Sequence, residues 1–513
     1  MKPFYILLIL IRLQPTEHKQ MTFVSHRDSV IPSTSIIIQQ QPVDKRQTLD
    51  FRTAVRLMLE NNNAIKAAEK NTELARRQSQ LINASWFPTI TMTGTYAMMS
   101  NKISVNQEYA PLLDPLKEKY ADDFLVPNVL NFISKELGDL SFDVPVIDDD
   151  FGSIDLEVIY PLFTGVKRIY ANKLAKDNES LSEIAKESIG ATKYLELANI
   201  YFSLSLNESM IKVLNESHDM TKHHYSQAVK MENIGMFDKA ERLIVKVALD
   251  ESDRNLKSAE NQNEVLKNAL YTIIGLRDNK STSQQVGQQV SQRVNKTNDN
   301  RQNISTTTSL FLNEQYPSLD WFKDMMRKNS YVYKQSELHN DISKNTLRMS
   351  RSNYFPVISV FGKQTIASYH IPNNLIPNTI GGINLAWDIF DGLARERNIQ
   401  ITKIESDIIS ETQQNLKNEL EVAVDEWHAN LKQAVVNAKD LQSSLDLAEE
   451  VYKIRKKSFA EGLCTSQQVL DALNLLNKTK LLLLTTYFEY DIALANLCCL
   501  CGIPEYFEAF INE

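Results

Sequence analysis

Apolar residues along this chain recur with two different periods, and each period identifies the backbone that carries it. Leu431, Ala434, Ala438, Leu441, Leu445, Ala448 and Tyr452 are spaced by alternating steps of three and four, the heptad signature of packed helices. Val469, Leu473, Leu476, Leu483, Tyr487, Tyr490, Leu494 and Leu497 repeat it, with the polar Lys480 in one position of the stripe. From Gly392 to about Phe459 no punctuation interrupts the pattern, which predicts ~100 Å of continuous helix at the helical rise per residue. Elsewhere the period is two. Ile90, Met92, Gly94, Tyr96 and Met98 alternate with Thr89, Thr91, Thr93 and Thr95. Ile154, Leu156, Val158 and Tyr160 alternate with Ser153, Asp155 and Glu157, while Ile383, Leu385, Trp387 and Ile389 alternate with Asn384, Ala386 and Asp388. A further strand, Val357 to Ile366, alternates less clearly.

These elements occur twice. Trp86-Phe87-Pro88 opens one strand, and 268 residues later Tyr354-Phe355-Pro356 opens another. Leu162-Phe163-Thr164-Gly165 is echoed by Ile389-Phe390-Asp391-Gly392 at an offset of 227, which also relates Gly235 to Gly462 and Gly275 to Gly502. Such a register marks tandem repeats. The predicted fold is therefore α+β and mostly α, two tandem repeats of a long antiparallel helical hairpin plus an amphipathic β-hairpin. We expect a first repeat at 46–276 with strands about 87–99 and 152–163, and a second at 313–513 with strands about 355–367 and 381–391. The change of offset assigns the first repeat about 41 extra residues, and its prolines and Asp148-Asp149-Asp150 run suit an exposed loop over 101–150. Residues 277–312 read as a polar connector rich in Ser, Gln, Asn and Thr. Residues 1–45, in which Lys2 precedes the apolar run Phe4 to Ile11, read as a targeting segment that the fold does not need.

Composition narrows the function. Only 14 Gly and 15 Pro punctuate 513 residues, as long helices require, and a formal net charge of -8 leaves no basic footprint for nucleic acid. Cys464, Cys498, Cys499 and Cys501 lack paired metal-ligand spacing and read as core thiols. His218, His223 and His224 sit on poorly aligned helical faces and read as a surface cluster. No hydrolase, phosphate-binding or dinucleotide motif occurs, so neither an enzyme nor a cofactor is expected. No run of 18 apolar residues crosses a bilayer as a helix, so any span is made of strands. In a transmembrane barrel the apolar face meets lipid and the polar face lines water; a sheet packed on a soluble core alternates in the same way. Four strands cannot close a barrel, and lipid tolerates no open edge, so closure requires several copies.

The duplicated aromatic-Phe-Pro motif, the Phe-x-Gly strand end and the turn Glu461-Gly-Leu-Cys-Thr-Ser-Gln-Gln-Val-Leu-Asp-Ala472 resemble the TolC-like outer-membrane efflux proteins, over about Leu49 to Ile503. The resemblance implies a homotrimer in the cell outer membrane, with a 12-stranded β-barrel continuous with a 12-helix periplasmic tube and the connector in an equatorial belt. It implies a passive conduit in a tripartite efflux or type I secretion system, with a periplasmic adaptor and an inner-membrane transporter as partners. The barrel lumen would then be faced by Asp155, Glu157, Asn384 and Asp388, and outer-membrane lipid by Ile90, Met92, Tyr96, Leu156, Val158, Leu385 and Trp387. Carried over by position, the periplasmic gate comprises Asp471 and Gln468 at its ring positions, Glu241 at the acidic link, Phe459 at the aromatic link and Cys464 where the link's base belongs. The turns at Gly235 and Gly462 would meet the adaptor. A structural coiled-coil scaffold of the periplasm is the alternative, and the paired amphipathic strands argue against it.

Overall fold

The computed structural model describes residues 47–100, 103–108, 118, 141–147, 150–276, 304–371 and 377–511. The targeting segment at 1–45, most of the polar connector (277–303) and the Asp148-Asp149 part of the acidic run lie outside them.

The two halves pass through the same elements, with helices of matching length. In the first, α1 (Phe51–Asn61) and α2 (Asn63–Ala84) lead to β2 (Thr89–Met98) and β5 (Asp150–Thr164). The 67-residue α3 (Lys167–Asn233) and the 35-residue α4 (Lys239–Ile273) follow. In the second, α5 (Leu319–Asn329), α6 (Tyr331–Arg351), β7 (Val357–Tyr369) and β8 (Thr379–Ala386) precede α7 (Ala394–Ala460) and α8 (Ser466–Leu500), again of 67 and 35 residues. A short α9 (Phe507–Ile511) ends the chain's described part. The fold is mostly helical α+β.

The long helices pair within each half, and the halves are joined where α3 packs on α6 and α8 and, less closely, α4 on α8. The predicted stripe is the buried one: Leu431, Ala434, Ala438, Ala448 and Tyr452 on α7 meet Val469, Leu473, Leu476, Leu483, Tyr490, Leu494 and Leu497 on α8, all buried. Lys480 keeps its ammonium at the edge of the stripe, 3.6 Å from Glu216 and 3.7 Å from Glu449. Helix α8 is the one described helix long and apolar enough to cross a membrane, and half of its most apolar window is buried inside the protein; it is a core helix here.

The helices that lead into the strands are broken, which the heptad reading did not anticipate. Asn62 stops α1 and caps α2 through its side chain, accepting from Ala64 N at 2.9 Å, while its Nδ2 donates to Ile273 O at 2.9 Å. At the corresponding place Ser330 separates α5 from α6. Against each break rests a left-handed glycine, Gly275 or Gly502, where any side chain would strike the backbone of Asn61 or Asn329. Around these breaks Phe51, Tyr194, Tyr201, Phe202, Phe311 and Phe507 form an aromatic core with ring centroids 5.3–6.4 Å apart. The end of the connector joins this core. Ile304–Thr306 forms β6, which pairs in parallel with β1 (Gln47–Leu49), and Tyr201 Oη both donates to Leu49 O (2.6 Å) and accepts from Thr308 N (3.1 Å). The last part of the expected connector, 304–312, is thus packed on this core.

The expected loop at 101–150 is not wholly loop, since β3 (Ile103–Glu108) and β4 (Ser141–Ile147) pair antiparallel within it. The main sheet has the order β2-β5-β7-β8, antiparallel throughout. Strand β7 alternates weakly because Val357 and Phe361 share a face with Ser359, Lys363 and Thr365, and Gly362 and Gln364 share the other with Ile358 and Val360; beyond the Asp155–Thr365 pair the register jumps to Ile154–Ala367, leaving Ile366 as the extra residue of a bulge. A second irregularity at Pro161/Phe163 lies past the last pairing with β2, where a residue without an N–H is tolerated. Strand β8 ends at Ala386 and not at 391, so Trp387 and Asp388 lie beyond the ladder.

Sheet and helices meet in two matching joints. After each, two consecutive residues are left-handed, Gly165-Val166 and Gly392-Leu393, a conformation costly for Val and Leu. An arginine grips each joint. Arg168 lies 4.6 Å over the Trp86 ring and donates to Ser85 O (2.9 Å) and Pro161 O; Arg395 lies 4.4 Å over Tyr354 and donates to Asp388 O (3.0 Å) and Asn353 O (3.3 Å).

Candidate functional site

Two regions collect the residues that the sequence singles out: the four-stranded sheet and the tips where the long helices reverse. The sheet register brings Thr91, Thr93 and Thr95 opposite Glu157, Asp155 and Ser153, and these in turn opposite Lys363 and Thr365 on β7. Ser359 continues the same face to Asn384 on β8. That face is therefore mainly polar, with Ile159, Phe361 and Ile380 as apolar members. Asp155 is its best-satisfied member, accepting from Thr365 Oγ1 (2.7 Å) and Ser153 Oγ (3.0 Å) with Lys363 Nζ at 3.0 Å. The opposite face aligns Ile90 with Val158, Met92 with Leu156, and Ile383 and Leu385 with Val360 and Ile358. Tyr96 shares that face and hydrogen-bonds Asp150 at 3.1 Å.

No helix covers either face of β2 or β8. Met92 is 65% exposed, Tyr96 61% and Leu385 59%. A half-buried soluble sheet would hide such residues. Of the expected lumen residues, Asp155, Glu157 and Asn384 share the polar face; Asp388 follows the strand, where its carbonyl is held by Arg395. Of the expected lipid-facing residues, Trp387 is displaced likewise, and its indole Nε1 donates to Tyr354 O at 3.1 Å.

At the tips, α3 turns into α4 through Gly235 and α7 into α8 through Gly462, both left-handed and closing with reversed bonds, Met236 N to Met231 O (2.9 Å) and Leu463 N to Ser458 O (2.8 Å). Ile234, Met236 and Leu463 are exposed there. Thr465 and Gln468 form a capping box at the start of α8, so Gln468 Oε1 is committed to Thr465 N at 3.2 Å. The next free amide of that helix, Ser466 N, donates to Glu241 Oε2 at 2.9 Å. A carboxylate from the first hairpin thereby sits at the positive end of a helix of the second, a charge-assisted bond that ties the tips. Asp471 is exposed one turn further along, accepting from Gln467 Nε2 at 2.7 Å.

Phe459 and Cys464 are buried inside the tip. Phe459 is 0% exposed, stacked 5.0 Å from Phe237 and edge-on 4.5 Å from His224. The Cys464 thiol is buried and donates to Arg455 O at 3.4 Å, and burial pushes its pKa up. They form the core that holds the tip together. His224 is likewise buried, contrary to the expected surface cluster; its neighbour His218 pairs with Ser252 at 3.1 Å. Burial pushes the His224 imidazole below the usual histidine range, which the Ser466 backbone and Glu241 offset in part. Cys464, Cys498 and Cys501 are buried and all four thiols are free. Among the described residues no group of three or more His, Cys, Asp or Glu is placed to hold a metal ion.

With this geometry in view, comparison with solved structures identifies the fold. The chain superposes on the outer membrane protein VceC of Vibrio cholerae with a TM-score of 0.68 and 13% identity, covering 88% of this chain and 96% of that one. It matches the CmeC outer membrane channel of Campylobacter jejuni (0.65, 15%, 88% and 86%) and the open state of the MtrE outer membrane channel of Neisseria gonorrhoeae (0.64, 13%, 88% and 89%). The fold is that of outer-membrane channel proteins. No family model and no curated protein matches the sequence.

Proposed function

We propose that this chain is one protomer of a TolC-like export duct in the outer membrane, a passive conduit and not an enzyme. Three copies would give twelve strands to one barrel and twelve helices to a periplasmic tube. Substrate would pass from an inner-membrane transporter and its adaptor, the adaptor docking at the turns around Gly235 and Gly462, and the transporter would supply the energy. The observation that carries this reading is the sheet: one face apolar, the other polar, both bare, with two unpaired edges at β2 and β8. Such a sheet is stable only where lipid covers one face and other copies satisfy the edges.

The tips are the proposed gate, opened by an iris-like shift of the hairpins. Asp471, exposed near the start of α8, would ring the throat with its symmetry copies and favour cations over anions. Planar-bilayer recording tests both claims. The purified protein should extract only with detergent, run as a trimer and conduct, and Asp471→Asn should lower its cation preference. A protein that stays in aqueous buffer and gives no current is instead a coiled-coil scaffold; unchanged selectivity in the variant removes Asp471 from the lining.

A further inference from the structure

We propose that His224 is a proton-sensitive lock between the two hairpin tips, holding them together while neutral and releasing them in acid; the proposal rests on the duct reading above and adds its regulation.

The ring sits where both hairpins meet. His224 on α3 packs edge-on against Phe459 of α7 at 4.5 Å, and Phe459 stacks on Phe237 of the first hairpin's turn at 5.0 Å. One aromatic stack therefore crosses from hairpin to hairpin and back. The imidazole is 4% exposed, and among the described residues neither its Nε2 nor the buried hydroxyl of Ser466 has a hydrogen-bond partner. A cavity of about 240 Å³ opens beside the ring, lined in part by Asp219, His223, Tyr452 and Lys456, and gives water and protons a way in.

The charged and titratable groups around His224 come from every packed element. Its own helix offers Asp219 and His223, α4 offers Glu241, α7 offers Lys456 and the Tyr452 phenol, and the second turn offers the Cys464 thiol and the Ser466 backbone. Glu241 is the one carboxylate close on the buried side, and it already accepts from Ser466 N at 2.9 Å. An imidazolium in this position would compete for that carboxylate and weaken the bond tying α4 to α8, or leave the site for water and withdraw from Phe459. Either course parts the tips.

The sign follows from burial. Because the joined tips depress the affinity of His224 for a proton, they bind fewer protons than parted tips with the ring in water. The joined state keeps its full advantage above the ordinary histidine value of 6.5 and loses it as pH falls through the depressed value.

The test compares the wild type, His224→Gln and His223→Gln in planar bilayers as the hairpin-side solution is taken from about pH 7.5 to about pH 5. Wild type and His223→Gln should gain conductance severalfold on acidification, and His224→Gln should stay flat. A wild type that conducts without responding, or a response retained in His224→Gln, overturns the lock and leaves the duct intact; no current at any pH overturns the duct itself. If His224→Gln does not assemble, the wild type still decides the matter through Cys464. Its modification by an aromatic disulfide reagent that reacts in acid, mapped by mass spectrometry relative to Cys499, should rise severalfold between the two pH values, and a constant ratio overturns the lock.

Discussion

Gly502→Ala tests how the helical body is held together, and the structure sets its magnitude. Gly502 has φ +69°, and a Cβ there would lie 2.3 Å from Asn329 O, 2.7 Å from Asn329 C and 3.1 Å from Ser330 N. Two costs add. The left-handed conformation costs an L-residue about 1–2 kcal/mol, from which about 0.4–1 kcal/mol is regained because alanine restricts the unfolded chain. The overlap is with backbone and cannot be relieved by a rotamer change: Ser330 N is bonded to Met326 O at 3.0 Å, and Lys334 N to Ser330 O at 3.0 Å, so both flanking helices must move. Overpacking of that kind costs about 1–3 kcal/mol more. Gly235→Ala supplies the control, since φ is +75° there but nothing lies within 4 Å of the added carbon. Urea unfolding of the detergent-solubilised protein, followed by far-ultraviolet circular dichroism, should place Gly502→Ala about 2–4 kcal/mol below the wild type and Gly235→Ala only about 1 kcal/mol below it. Equal losses in the two variants would show that the helix break does not clamp the glycine, and would refute the reasoning.

Three further outcomes follow from named contacts. Arg395→Lys removes a planar fork that meets the carbonyls of Asp388 and Asn353 while lying over Tyr354, and should cost about 1–3 kcal/mol of stability by the same unfolding assay, more than a conservative exchange of an exposed cation. Asn62→Ala loses both the α2 cap and the bond to Ile273 O and should lower stability by about 1–2 kcal/mol, with Asn62→Asp recovering the cap alone. Asp491 is fully buried, and burial raises its carboxyl far above the usual carboxylate range, so the folded protein retains a proton that the unfolded chain gives up above pH 3.8. Stability should therefore fall as pH rises above that value, and Asp491→Asn should gain on the wild type in melting temperature as pH goes from about 4 to about 8; a constant gap would mean that the carboxyl is ionised in the fold.

Periodicity made the architecture readable, and it failed where local chemistry overrides period. The stripes on α7 and α8 and the alternation of β2 and β5 report burial on one side, which is what a period measures. The break at Asn62 has no such signal, because Asn61-Asn62-Asn63 reads as polar helix surface until Ile273 O is brought opposite it. In β7, Val357 and Phe361 fall among the polar positions and Gly362 and Gln364 among the apolar ones, which blurs the period, and the bulge at Ile366 inverts the phase beyond it. Trp387 and Asp388 keep the alternation of β8 but not its ladder, because Arg395 takes the carbonyls that a longer strand would use. That arginine had a signal that went unused: Arg168 and Arg395 are separated by the same 227 residues that relate the glycine turns, and the aromatics they cover by the same 268 that relate the Phe-Pro motifs. His224 had none. Its spacing from His218 and His223 argues against a metal site and suggests a surface cluster, and its burial is decided by a second hairpin far away in sequence.

The sheet's order gives the duplication a physical purpose. Within one copy β2, β5, β7 and β8 run alternately up and down, so the two free edges, β2 and β8, point in opposite directions. Edge β8 of one copy can therefore accept β2 of the next in the same antiparallel sense as every internal pair, and a ring closed by rotation contains no odd junction. Strand parity alone permits any number of copies; the number is set by curvature, and the bulges at Ile366 and at Pro161/Phe163 bend two of the four strands. The joints carry the same register downward. In the proposed duct, Arg168 and Arg395 would lock each strand pair to its long helix in one geometry, so that the rotation closing the sheet would also fix the helices around the same axis. The freedom to move would then be left to the far ends, where the hairpins meet through the Glu241–Ser466 bond, the His224–Phe459–Phe237 stack and the small cluster of Ala228, Val245 and Leu470.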